Sequence, residues 1–259
     1  PTPADLRSAT EPRAPDPQTL PVHGRVVRTV ERMDSLCWYV SYGSNMRADR
    51  LGFYLSGGRP PGATRTYPGA RDARAPRDTR GVTLPGSIYF ALESTVWTGG
   101  MAFYDPSAAG QAAGRAYLIT VSQFSDIAAQ EMHRAPGNDL RLDAVLADGA
   151  CEVGPGRYET LVHAGDIDGI PMLTFTAPWG IGDVTPTAPS GPYLGMLARG
   201  LIEAHGWEPA TVSSYLCSLP GAAGTWGSRP ATGDRDAVLV CGSAGDCTCD
   251  EPVELHRLR

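Results

Sequence analysis

"WYVSYGSNMRADRL", residues 38–51, runs from an apolar stretch into a sharp turn and then into a helical pattern. "LCWYVSY", 36–42, reads as a buried strand: it is apolar nearly throughout, with aromatic and β-branched residues. "MRADRLGFYL", 46–55, reads as a short helix whose Met46, Leu51, Tyr54 and Leu55 share one face, with Ser44 or Asn45 as the expected N-cap. Between them lie Tyr42, Gly43, Ser44, Asn45 and Met46. A Gly-Ser-Asn junction either only makes the turn or aims backbone N–H groups outward. A helix start has unsatisfied donors and a positive dipole end, which suits an anion or a developing oxyanion. On this stretch alone both readings stand.

Working outward, "GSIYFALES" (86–94), "GGMAFYDP" (99–106) and "GRAYLITV" (114–121) read as strands. A Pro-, Gly- and Arg-rich loop is expected over 56–85. "SQFSDIAAQEMHR", 122–134, reads as a helix with Ser122 as N-cap. Two stretches beyond 140, "LDAVLADGACEV" and "RYETLVHAGDIDGIPMLTFTA", read as strands, with Asp168-Gly169 as a hairpin turn. Helices are expected at 190–206 and 208–219, each with a proline near its start. "DAVLVCG" and "CTCDEPVELHRL" are expected to pair as final strands. The gaps between strands are too short for repeated crossovers, so the fold class is α+β, with a barrel-like sheet as one form of it. Three regions follow: a flexible N-terminal arm over 1–35, a main domain over 36–219 and a C-terminal extension over 220–259.

Composition excludes several functions. The 259 residues are 42% hydrophobic, enough for a sizeable core, and no apolar run has the ~18 residues of a membrane span. The first residues lack a signal-peptide core, so a cytoplasmic protein without a membrane partner is expected. A net charge of −6 argues against a nucleic-acid partner. All 22 basic residues are arginine, which rules out a Schiff-base or P-loop lysine. The bias towards Arg, Ala, Gly and Pro suggests a GC-rich bacterial genome. Of six cysteines only Cys241, Cys247 and Cys249 cluster, and their spacing does not suit zinc, so no metal or cofactor is expected.

Glu131 is the candidate catalytic group. Phe124, Ile127, Ala128 and Glu131 fall at i, i+3, i+4 and i+7, so a carboxylate lies on the apolar face of the 122–134 helix. There it is suited to proton transfer. The plain alternative is an exposed pair with Arg134 at i+3. Ser44 has no evident triad partners and "YGSNM" is not a G-x-S-x-G elbow. His133, adjacent to Glu131, is expected to face elsewhere; His163 and His205 read as structural.

In combination these stretches resemble a known family. "YVSYGSNM" resembles the Y-G-S-N-[LM] signature of the gamma-glutamylcyclotransferase-like superfamily. "STVWTGGMAFYDP", with Trp97, Gly99 and Gly100, is similar to the segment that follows it in that family. "GRAYLITVSQFSDIAAQE" resembles the strand and helix carrying the family's catalytic glutamate, which matches Glu131. "APSGPYLGMLARGLIEAHGW" resembles the late P-S-x-x-Y segment, with Tyr193 at its tyrosine. The matches cover roughly 38–216 in the family's order.

The resemblance implies a mixed sheet closing into a partial barrel with peripheral helices. It implies a cavity in which Glu131 is catalytic and Tyr42, Gly43, Ser44, Asn45, Met46 and Tyr193 bind substrate. The implied reaction is that of a transferase or lyase: a γ-glutamyl group cyclises to 5-oxoproline and the attached amine leaves. The implied partner is a small γ-glutamyl molecule, with an amino acid, an amine or a natural-product intermediate as the leaving part. A hydrolytic amidase using the same cavity and a non-catalytic binding protein remain as alternatives, and the oligomeric state is not legible.

Overall fold

The computed structural model describes residues 35–61, 65–228 and 240–242. The N-terminal arm, up to residue 34, and the segment 243–259 lie outside the described residues. All that follows concerns the described residues of the unit 31–259.

Its architecture is mixed α+β. The elements are β1 (Leu36–Ser41), α1 (Ala48–Ser56), β2 (Asp78–Pro85), β3 (Ser87–Ala91), β4 (Met101–Asp105), β5 (Gln111–Thr120), α2 (Val121–Glu131), α3 (Asp143–Asp148) and β6 (Ala150–Glu152). They continue with β7 (Thr160–Ile167), β8 (Ile170–Thr176), α4 (Gly191–His205), α5 (Pro209–Ser218), β9 (Trp226–Ser228) and β10 (Val240–Gly242). Six strands form one sheet in the order β2-β5-β1-β8-β7-β6. All neighbours are antiparallel except β1 and β8, which run parallel with Trp38 opposite Met172. The sheet keeps two edges, β2 and β6, so it is not a closed barrel. β3 and β4 form a separate hairpin, tied to β8 by Thr176 Oγ1, which accepts from Tyr104 N at 3.0 Å and donates to Tyr104 O at 2.7 Å.

β1 sits at the centre and is buried on both faces, which explains its unbroken apolar run. Trp38 and Val40 face one core with Tyr42, α4, α5 and the β3–β4 hairpin. Cys37 and Tyr39 face the other, which α1, α2 and α3 cover. This alternation follows from the two-residue period of a strand.

Several expectations shift at their boundaries. α2 starts on Thr120, not Ser122: the Thr120 side chain accepts from Gln123 N, and Gln123 Oε1 accepts from Thr120 N, a full capping box. The 56–85 loop yields an edge strand, β2, whose exposed Arg, Thr and Gly residues hid it from a hydrophobic reading. "LDAVLAD" is the short helix α3 rather than a strand, closed by Gly149 in the left-handed conformation. Asp168 and Gly169, at φ 53° and 75°, make the β7–β8 hairpin as expected. "VCG" of the expected final strand pair is β10, which pairs with Trp226–Ser228; the expected partner, 247–258, lies outside the described residues.

Ser44 and Asn45 do not cap α1. Ser44–Met46 form a single 3₁₀ turn whose own N-cap is Gly43, and Arg47 precedes α1. The turn is pinned from below by α4. A Cβ on Gly200 would stand 2.6 Å from Met46 Cβ and 3.3 Å from Arg47 N, so only glycine lets α4 approach this closely. Gly200→Ala is therefore expected to destabilise the fold by about 1–3 kcal/mol, the usual cost of overpacking, read as a lower urea midpoint at an unchanged slope.

Candidate active site

The C-terminal end of β1 and the C-terminal end of α2 are brought together by simple arithmetic. β5 runs antiparallel to β1, with Thr120 opposite Leu36. α2 then turns back along β1. Its 11 residues span about 16 Å and β1's 6 span about 20 Å, so Glu131 arrives beside the turn that follows β1. The contact is direct: Asn45 Nδ2 donates to Glu131 Oε1 at 3.0 Å and reaches Tyr39 Oη at 3.5 Å. Arg134 pairs instead with Glu159, so Glu131 is not the i+3 partner of Arg134. A carboxylate in the last turn of a helix gains nothing from the helix dipole, and its place here is not one that helix stability requires.

These groups line a cavity of about 130 Å³. Tyr42, Gly43, Ser44, Asn45, Glu131 and Tyr193 all contribute to its wall. Met46 does not. Its side chain is buried in the core against α4, so among the expected binding residues it is a support for the turn rather than part of the lining. The turn's donors also divide. Met46 N donates to Gly43 O at 3.0 Å and Arg47 N to Ser44 O at 3.2 Å. The N–H groups at Gly43, Ser44 and Asn45 precede the first internal bond of the turn and are the ones free of it.

Buried tyrosines line the same cavity as the carboxylate. Tyr42 Oη donates to Phe175 O on β8 at 2.8 Å. Tyr193 Oη accepts from Ala102 N at 3.4 Å, and its ring stacks on Trp97 with centroids 5.5 Å apart. Burial, and then the charge of Glu131, push the phenols of Tyr39 and Tyr54 well above their ordinary range. Burial does the same for Tyr193. All three therefore stay protonated and keep a hydroxyl proton to donate.

The Trp97 and Tyr193 segments are clamped together. Ser94 Oγ accepts from Val96 N and Trp97 N, closing a tight turn. Gly100 N donates to Ala188 O at 2.8 Å and Ser190 Oγ to Trp97 O at 2.6 Å. A Cβ on Gly99, at φ 67°, would meet Ala188 O at 2.5 Å. The Gly-Gly pair thus permits the close approach that sets Tyr193 against Trp97.

Sequence reading missed several lining groups. Tyr39, Tyr54, Tyr158, Arg50, Arg65 and Arg157 all face the cavity. Tyr54 was readable as an apolar helix position, but nothing in the chain marks its hydroxyl end as cavity-facing. His133 was expected to face elsewhere, yet it lines the cavity. α2 ends at Glu131 and His133 takes φ 57°, so helical periodicity no longer directs it. His163 bonds Asp166 and His205 bonds Gly114 O, both structural as expected. Among the described residues no cluster of His, Cys, Asp and Glu could hold a metal ion, and no helix is long and apolar enough to cross a membrane. Cys247 and Cys249 lie outside the described residues, as does the side chain of Cys241.

No protein-family model matches the chain. Histone deacetylase 5 of Arabidopsis thaliana is 32% identical over 197 residues, 69% of this chain, and the chain spans 30% of the length of that curated relative. Similar solved structures include a gamma-glutamyl cyclotransferase, at 15% identity and a TM-score of 0.41, covering 77% of this chain and 93% of that one. Another is a Homo sapiens protein described as uncharacterized, at 15% identity and a TM-score of 0.43, with 78% and 94% covered. YkqA from Bacillus subtilis matches at 15% identity and a TM-score of 0.34, over 71% of this chain and 55% of that one.

Proposed function

We propose that the chain is a gamma-glutamylcyclotransferase-type enzyme. Its substrate's free α-amine attacks its own γ-carbonyl, 5-oxoproline forms, and the attached amine leaves. The observation that carries this reading is the Asn45–Glu131 hydrogen bond at 3.0 Å inside a cavity also lined by Tyr42 and Tyr193. It joins the Y-G-S-N turn to the glutamate, two features 86 residues apart that the resemblance had paired only by motif.

Each part has a task. Glu131 takes a proton from the α-ammonium and later returns one to the departing nitrogen. Between these transfers the new C–N bond forms, the carbonyl oxygen carries the charge and the attacking nitrogen sheds its second proton; the old C–N bond breaks as the departing nitrogen is protonated. The N–H groups of Gly43, Ser44 and Asn45 are the donors for that oxyanion. Asn45 fixes the Glu131 carboxylate through its side chain and is a positioning residue. Tyr42 and Tyr193 bound the space in which the substrate must fold so that amine and carbonyl meet, an effect of orientation. No nucleophile, metal or cofactor is required by this chemistry.

The test is incubation with a panel of γ-glutamyl amides and mass spectrometry of the products. Stoichiometric 5-oxoproline and free amine are expected. Release of glutamate in its place would assign water attack, the amidase alternative. No product from any amide would leave a binding protein.

A further inference from the structure

Tyr193 lies in the first turn of α4, and that turn does not fix its own position. Ser190 is the N-cap, but its hydroxyl makes no capping bond and donates to Trp97 O at 2.6 Å instead. Pro192, inside the first turn, has no N–H to offer. The first donors of a helix have no partner within it, so the start of α4 is placed by whatever grips it from outside. The Tyr193 hydroxyl is held no more firmly at its far end. Its bond from Ala102 N, at 3.4 Å, is long beside the about 2.9–3.0 Å usual for such a contact. The hydroxyl lies 3.6 Å from the point that a Gly43 Cβ would occupy, beside the Y-G-S-N turn.

One grip on the start of α4 is the clamp between 97–100 and 188–190. The other comes from Trp226, beyond the stretch that the family motifs cover. Trp226 Nε1 donates to Pro189 O at 3.0 Å. Its ring packs against Gly191, where a Cβ would stand 3.3 Å from Trp226 Cη2. Trp226 is itself anchored: its backbone N–H donates to Ala222 O at 2.9 Å, and Ala222 is fully buried. Phe90 N on β3 donates to Pro220 O at 2.8 Å, and a Cβ on Gly221 would meet Phe90 O at 2.6 Å. Phe90 also meets the Tyr193 ring edge-on, with centroids 6.2 Å apart. The segment 220–226 thus holds the β3–β4 hairpin at one end and the start of α4 at the other, the two elements between which Tyr193 stands.

We propose that Trp226 is a positioning residue of the glutamate cavity, setting the Tyr193 hydroxyl through Pro189 and Gly191. The C-terminal extension then completes a site whose walls come from earlier in the chain. The effect on turnover rests on the cyclotransferase reading, in which Tyr193 bounds the space where amine and carbonyl must meet; the brace itself does not. A small displacement of that hydroxyl loosens the folded substrate, a loss of orientation.

Trp226→Phe tests it, because it keeps a ring against Gly191 and removes the donor to Pro189. A melting curve is expected to change little. Two measurements decide. Amide hydrogen exchange, resolved by residue with NMR, is expected to quicken by about two- to tenfold at Gly100, Ala102 and Leu194, the range that loss of one hydrogen bond allows, with the β7–β8 hairpin unchanged. For the best amide of the panel, kcat/KM is expected to fall about fivefold in the wild-type background and less than about twofold in Tyr193→Phe, since changes that act through one group do not add. A tryptophan that only stabilises the fold would lower kcat/KM by the same factor in both backgrounds. Equal factors, unchanged exchange at the three amides, or exchange quickened throughout the chain would each overturn the proposal. If no amide yields 5-oxoproline, the cyclotransferase reading fails by itself, and the exchange result alone decides whether Trp226 braces Tyr193.

Discussion

Glu131→Gln is expected to lower kcat by about 10²–10⁴-fold, the usual contribution of general acid–base catalysis, while substrate affinity and thermal stability change little. The geometry makes this substitution unusually clean. Glu131 Oε1 accepts from Asn45 Nδ2, and a glutamine oxygen can accept the same bond. Arg134 is unaffected because it pairs with Glu159. The variant therefore keeps the turn and the cavity wall and removes only the capacity to carry a proton. Steady-state kinetics on the best amide of the panel, with a melting curve as control, decide the matter. A variant retaining most of its turnover would remove Glu131 from the mechanism.

Acetylating the substrate's α-amine is expected to abolish turnover entirely. The ring closes only if that nitrogen attacks, and an amide nitrogen is a poor nucleophile with no ammonium proton for Glu131 to take. A hydrolase that uses water has no such dependence on the amine. The measurement is the leaving amine released from matched free and N-acetylated γ-glutamyl amides. Equal release from both would assign hydrolysis. Competition by the acetylated compound, read as inhibition, separates failure to bind from failure to react.

Much of the fold was legible because local signals agreed with tertiary demand. The β1 run is apolar because both of its faces are buried, and Asp168-Gly169 specifies a two-residue turn wherever it falls. Other elements were hidden for physical reasons. β2 is an edge strand whose side chains are largely exposed, so it carries no hydrophobic pattern. Ser122 looked like a cap, but Thr120 owns the position because Gln123, three residues on, completes the box. The candidate site divided the same way. Glu131 was found from helical periodicity, which holds up to the end of α2. His133 was misplaced because that periodicity stops two residues earlier. Arg50 and Arg65 could not be found at all, because only tertiary packing brings them to the cavity wall.

The parallel pairing of β1 with β8 joins parts of the chain that are far apart in sequence. Tyr42 is tied to Phe175, 133 positions later in the chain. A nascent chain that has made the Y-G-S-N turn and α2 already owns Asn45 and Glu131, yet lacks the strand that walls their cavity. Tyr193 follows later still. Bringing such distant segments together requires closure of a long loop before any contact rewards it, the feature that slows folding most. The cavity wall is thus complete only once residues as late as Tyr193 have joined the fold.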